Sequence, residues 1–310
     1  MRISTAWRYV ALAKSMTEQE RRMYELQVQV STGKRVNRPS DDPIATGSIL
    51  GARALKMEIQ QQERVVPYAR MALRHTEQCI EEMYSGLQRV SELVTRAANA
   101  TLSPEAREAI AIEIEDIERR MVSLANSQVQ GKYLFGGRLD HQPPLVPTGD
   151  PARPYECVGD EEPLRFILGK DIVVEVSVTA RGLMNFENAA GSRPIAGEDE
   201  DVISFLRDAE TAVRRGDANE LNGIAARLEK YLNHFLLMRA RVGVEDKRLD
   251  RIEKMFQDEE LRASELLSTL EDCDMAETLT RLRMAEVVYQ ATLGAAAKAA
   301  ALPSLVEMGW

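Results

Sequence analysis

Tyr9, Leu12, Met16, Gln19, Met23, Leu26 and Val30 follow one another at alternating steps of three and four residues. That spacing is a heptad seam with one polar member, and Glu18, Glu20, Arg21, Arg22 and Glu25 occupy the remaining faces. A single helix cannot bury its own stripe, so the chain must bring a partner helix to this one. The stretch VSTGKRVNRPSDDPIATG, residues 30–47, then stops the helix. Gly33 suits a helix end, because it adopts positive φ without steric penalty. Pro39 disfavours helix at Arg38. Asp42 is placed to cap the next helix and Pro43 to open it, where a missing N–H costs nothing, while Asp41 adds negative charge at the positive helix end. The same stretch resembles a phosphate loop in composition. The pattern G-x-x-x-x-G-K-[ST] is absent, however, and no apolar strand precedes Gly33. The residues Gly33, Asn37, Asp41, Asp42 and Pro43 therefore read as a joint between two helices, with Lys34 and Arg35 expected to face solvent or a neighbouring subunit.

Beyond the joint a helical pattern runs from Pro43 to about Ala100, with Pro67 expected to kink it. Ser103 and Pro104 start another helix, which carries Ile110, Ile114, Ile117, Met121 and Leu124 and is expected to end near Gly131. From Gly136 to Gly197 prolines and glycines are dense, and RFILG and DIVVEVSV form two short strand-like runs. Helix resumes at about residue 201. A long helix from Asp217 is expected to break near Gly243, and a last helical arm begins at about Leu261 and stops at Pro303. Its apolar positions include Leu266, Leu270, Cys273, Leu279, Leu282, Val287, Val288 and Leu293. These elements predict a mainly α fold with a small β-rich insert: an elongated antiparallel helical bundle or coiled coil, its terminal arms together and its β domain at the far end. The expected divisions are an N-terminal arm 1–42, a helical core 43–137, an insert 138–200, the second half of the core 201–264, and a C-terminal arm 265–310.

Composition narrows the function. A net charge of −9 argues against a nucleic-acid binder, which shows a basic face. No run approaches the roughly 18 apolar residues of a membrane span. Arg8 and Lys14 interrupt what would be the apolar part of a cleaved signal peptide. Aromatic residues make up 5% of the chain, too few for a large aromatic core. Cys79, Cys157 and Cys273 lie far apart, without a C-x-x-C, so neither a zinc site nor a disulfide framework is expected. His75, His141 and His234 are scattered and form no metal motif. Asp140 and His141 with Cys157 offer a cysteine nucleophile, against which stands the lack of any oxyanion signature. The acidic runs 160–162 and 198–201 read as solvated loops. No catalytic, cofactor-binding or metal-binding residues are assigned.

Four separated stretches carry a resemblance. VSTGKRVNRPSDDPIATG resembles the loop after the first helix in the bacterial flagellin superfamily. The opening MRIST and the run NSQVQGKYLFGG, residues 126–137, resemble segments of its hook–filament junction proteins, and EDCDMAETLTRLRMAEVVYQATLGAAAKAAALPSLV resembles their terminal helix. The resemblance covers roughly residues 1–140 and 220–306. It implies a structural, non-enzymatic protein that connects the hook, through the first hook-associated protein, to the flagellin filament. Implied partners are copies of itself in a ring, that first hook-associated protein, flagellin, and an export chaperone in the cytosol, with neither nucleic acid nor membrane. It also implies secretion to the flagellum through the flagellar type III apparatus without a cleaved signal. The expected assembly residues are Tyr9, Leu12, Met16, Met23, Leu26, Val30, Leu270, Leu279, Leu282, Val288 and Leu293, on arms that order only when neighbours cover them. The other readings are a flagellin filament subunit and, from a different class, a cytosolic coiled-coil scaffold or an enzyme with its chemistry in the β insert.

Overall fold

The computed structural model describes residues 2–99, 102–150, 153–188 and 191–301. It is mainly α-helical, with three two-stranded antiparallel sheets among the described residues. The chain divides into two units, residues 1–60 with 258–310, and residues 61–257.

The first unit is built from helices. α1 (Arg2–Thr32) packs against α8 (Met275–Ala301). The end of α1 meets the start of α8, so the two run antiparallel. Leu12, Met16, Gln19, Met23 and Val30 are half-buried and Leu26 is buried, as a heptad seam requires. On α8 the covered positions are Thr278, Leu282, Ala285, Tyr289, Thr292 and Ala296, again at steps of four and three. α2 (Pro43–Glu63) buries Ala45, Ile49, Ala52 and Ile59. Its partner is the end of α7 (Ala218–Glu271), where Ala263 is buried and Leu267 and Leu270 are half-buried. Polar rungs fix the antiparallel register: Arg53 Nη2 lies 2.7 Å from Glu271 Oε2, Lys56 Nζ donates to Ser264 Oγ at 2.9 Å, and Gln60 Nε2 donates to Glu260 Oε1 at 2.7 Å.

The second unit holds α3 (Val66–Asn99), α4 (Pro104–Ala125), the short α5 (Ala180–Leu183), α6 (Val202–Arg215) and the first part of α7, together with the strands. α3 packs on α4 and α4 on α6. α3 buries Leu73, Ile80, Met83, Leu87, Val90, Leu93 and Val94 along one face. Ser103 caps α4 by accepting from the Ala106 amide, with Pro104 in the first turn as the sequence predicts. Ile110, Ile114 and Met121 are buried while Ile117 and Leu124 are half-buried. Few aromatics do not mean none inside. Phe135, Phe205, Tyr231, Phe235 and Phe256 are fully buried, and the rings of Phe205 and Tyr231 lie 4.5 Å apart.

The helix boundaries differ from expectation in four places, one of them the last arm, which begins at Met275 after α7 has run through Leu261 to Glu271. Ahead of Pro67 the helix breaks outright: α2 ends at Glu63 and α3 begins at Val66. α4 ends at Ala125, six residues before Gly131, and β1 (Gln128–Val129) and β2 (Lys132–Tyr133) form a tight hairpin there, with Gly131 at φ 78°. α7 runs unbroken through Gly243 for 54 residues. One helical glycine costs only about 1 kcal/mol, and the buried Val242, Leu249 and Ile252 around it hold the helix. In the insert, β3 (Leu145–Asp150) pairs with β4 (Arg153–Cys157), and β5 (Arg165–Ile167) with β6 (Val173–Glu175). The side chain of Asn126 bonds both backbone groups of Leu145 at 3.0 Å and so ties β3 to the end of α4.

Candidate assembly joint

The 33–42 loop is fastened to the break between α7 and α8. Gly33 ends α1 at φ 72°, its amide donating to Gln29 O at 2.9 Å. Its own carbonyl accepts from the Cys273 amide at 2.9 Å, and the Arg35 amide donates to Glu271 O at 2.6 Å. Lys34 and Asp272 thereby form an antiparallel bridge. The Arg35 guanidinium donates to Leu270 O at 2.9 Å, one of the carbonyls the last turn of α7 leaves open, and lies 3.4 Å from Asp42 Oδ2. Gln29 Nε2 closes the turn on Arg35 O at 3.1 Å.

Lys34 and Arg35 thus reach the chain's own C-terminal joint, while their side chains stay 42% and 49% exposed, open to solvent as the sequence suggests. Lys34 forms an ion pair with Glu271, whose carboxylate also accepts from Arg53. Glu271 is 4% exposed. Burial alone would raise its carboxyl above the ordinary range. The hydrogen bonds from Lys34 and Arg53 outweigh that and hold it below.

The two aspartates divide the capping. Asp42 Oδ1 accepts from the Ala45 amide at 2.9 Å, and Thr46 Oγ1 donates to Asp42 O at 2.7 Å. The Ala45 amide, aided by Arg35, holds the Asp42 carboxyl below its usual value. Asp41 instead serves the loop, accepting from the amides of Asn37 at 3.0 Å and Arg38 at 2.8 Å. Asn37 Nδ2 donates to Lys34 O at 2.8 Å. Pro43 opens α2. Asp274 caps α8 in the same way, accepting from the amides of Ala276 and Glu277. Beneath the joint Val36, Ala45 and Ile49 form a small buried cluster with Leu267 and Leu270 against it.

The expected assembly residues with described side chains fall into three sets. Leu12, Met16, Met23, Leu26, Val30 and Leu282 lie in the α1–α8 seam, and Leu270 lies under the joint. Leu279, Val288 and Leu293 are exposed on α8, with Met284 and Val287. Tyr9 has a backbone within α1, but its side chain lies outside the described residues, as does Pro303. Sequence reasoning passed over Thr278, Ala285, Thr292 and Ala296, which carry little apolar signal. Only their common spacing with Leu282 could have singled them out.

The other candidates separate. Cys157 is buried and burial pushes its thiol up, away from a thiolate. His141 is exposed beside Asp140, which Lys132 already pairs at 2.6 Å. His234 is buried, its Nε2 2.8 Å from Gly182 O, and burial lowers its pKa. Of the acidic runs, 198–201 is not a solvated loop. Glu198 is buried against Arg227 at 2.7 Å and Lys230 at 2.9 Å, and Asp201 caps α6. Among the described residues no three His, Cys, Asp or Glu side chains gather as a metal site, and no helix is long and apolar enough to cross a membrane.

Residues 3–139 match the family model described as the bacterial flagellin N-terminal helical region. The match makes the part of the chain from α1 to just past the β1–β2 hairpin similar to that family. The chain is also similar to flagellar hook-associated protein 3. It is 24% identical to that protein of Escherichia coli strain K12, over 94% of this chain and 95% of the relative, and 25% identical to that of Salmonella typhimurium, with the same coverage. A solved structure of a putative flagellar hook-associated protein from Vibrio parahaemolyticus has the same fold, with a TM-score of 0.65 and 16% identity, covering 75% of this chain and all of that one.

Proposed function

We propose that this chain is a structural junction protein of the bacterial flagellum, joining the hook, through the first hook-associated protein, to the flagellin filament. The observation that carries the reading is the state of the terminal helices. α1 and α8 cover each other on one face only, leaving Trp7 72%, Val10 66%, Met284 65% and Val287 65% exposed. An exposed apolar stripe on a paired helix is a surface for a further helix. Similarity to flagellar hook-associated protein 3 along nearly the whole chain supports placing that further helix in the flagellum. In this reading Leu279, Val288 and Leu293 contact neighbouring copies in a ring, while the joint at Gly33, Asn37, Asp41, Asp42 and Pro43 sets where the arms leave α2 and α7. The chain is then secreted through the flagellar type III apparatus without a cleaved signal, escorted in the cytosol by an export chaperone.

A strain lacking the gene tests this by electron microscopy together with an assay of flagellin in the medium. Bare hooks with flagellin shed into the medium are expected, because exported subunits would have nothing to polymerise on. Bare hooks with little flagellin in the medium would make this chain the filament subunit instead. Normal filaments would overturn both.

A further inference from the structure

The joint contains a buried carboxylate that neither a cap nor the α1–α8 seam requires. Glu271 stands at the last position of α7 and receives cations from two separate segments, Lys34 of the 33–42 loop and Arg53 of α2. Its backbone carbonyl is taken by the Arg35 amide, and the neighbouring Cys273 amide by Gly33 O. Arg35 adds a third tie, from Leu270 O to the capping residue Asp42. The ties from Gly33, Lys34 and Arg35 to residues 270–273 run between the segment leaving α1 and the segment leading into α8, while Arg53 holds Glu271 from α2 and the Arg35–Asp42 pair stays within the loop.

We propose that Glu271 is a latch that makes the two terminal helices dock and release as one element. Detaching the 33–42 loop removes Lys34 and both backbone rungs at once. It leaves Glu271 buried with Arg53 alone, a state that a buried carboxylate strongly resists. The last turn of α7 then opens to water and carries the start of α8 with it. In the reverse direction, fraying of that turn withdraws the acceptors on which Lys34 and Arg35 are seated. Release of α1 without α8, or of α8 without α1, is therefore suppressed. A seam alone gives no such rule, because its contacts are spread along both helices and each end frays independently.

Cys273 is a built-in reporter. It is half-buried in the joint with Sγ 3.6 Å from Gln29 O in the last turn of α1, while Cys79 and Cys157 are buried in the other unit. The experiment measures thiol labelling by mass spectrometry on the full-length protein and on Glu271→Gln and Lys34→Met. Brief trypsin digestion of each protein accompanies it. Glu271→Gln keeps the shape and removes the charge. Its Cys273 should label about tenfold faster or more, as loss of charge-assisted hydrogen bonds at a buried site requires. Cleavage at Arg21 and at Arg283 should rise together, and Lys34→Met, altered on the N-terminal side, should loosen α8 as well as α1. Slow labelling of Cys79 and Cys157 in each variant shows that the other unit has stayed folded. An unchanged Cys273 rate in Glu271→Gln would overturn the proposal, as would loosening of one arm without the other. If Cys79 and Cys157 also become fast, the variant has unfolded globally and the carboxylate is a general stabiliser, which equally sinks the latch.

Discussion

Replacing Ile49 by alanine would strip the joint of its largest buried side chain. Ile49 is 4% exposed, packed with Val36 and Ala45 and closed below by Leu267 and Leu270. The change removes three carbons, worth about 0.8 kcal/mol each on transfer from water. Isoleucine-to-alanine changes in cores cost about 2–5 kcal/mol, the spread reflecting how far the site collapses. Here Leu267 and Leu270 are only half-buried and are free to move into the gap. The low end therefore applies, about 2.5 kcal/mol, or roughly a 70-fold shift in the local opening equilibrium. Amide hydrogen exchange resolves it. Protection along α2 from Ala45 to Ile59, and along α7 from Ala263 to Leu270, should fall by about that factor. Protection of α3 between Ile80 and Leu93, in the other unit, should be unchanged. If exchange in α2 changed by less than about fivefold, or if α3 lost protection equally, the cluster would not be what holds α2 to α7.

Other outcomes follow from the same geometry. In Asp42→Ala the first-turn amides of α2, Ala45 above all, lose protection and assembly weakens, while the second unit melts as before; a large fall in that unit's melting temperature would contradict this assignment. Brief trypsin treatment of the isolated protein should cut first outside about residues 43–265, at sites such as Arg22 and Arg281, because each arm is covered on one side only; arms as resistant as the core would refute it. Glu271 is held below its ordinary value, so the stability it contributes is present above about pH 4.3, the unfolded glutamate value, and is lost as pH falls through the lower folded value. Labelling of Cys273 relative to that of a free thiol at the same pH should accelerate as pH falls across that interval, and a relative acceleration confined to pH above 6 would assign the effect to another group.

Local chemistry was legible in the sequence and distant chemistry was not. The α1 seam showed itself because its members are large and apolar at heptad spacing. The caps Asp42 and Ser103 showed themselves because a cap and its helix are adjacent in the chain. The α8 seam was only partly legible: Leu282 stood out, but Thr278, Ala285, Thr292 and Ala296 also face inward while the conspicuous Leu279, Val288 and Leu293 face out. The ties of Lys34 to Glu271 and of Arg35 to Leu270 were not legible because those partners lie more than 230 residues away. The β3–β4 hairpin was obscured by Pro147, Gly149 and Pro154 within its strands. Glu198 looked solvated because Arg227 and Lys230, which bury it, stand a turn apart on a helix nearly thirty residues on.

The inward face of α8 has a mechanical meaning of its own. On that face Leu282 and Tyr289 alternate with hydroxyls and methyl groups, while Leu279, Met284, Val287, Val288 and Leu293 are turned the other way. A pair held by such a face keeps much of its apolar surface in water. Its grip tightens when something slides over Met284, Val287 and Val288, because only then do the larger side chains leave water. Taken alone the hairpin is a loose clasp, and crowding is what fastens it.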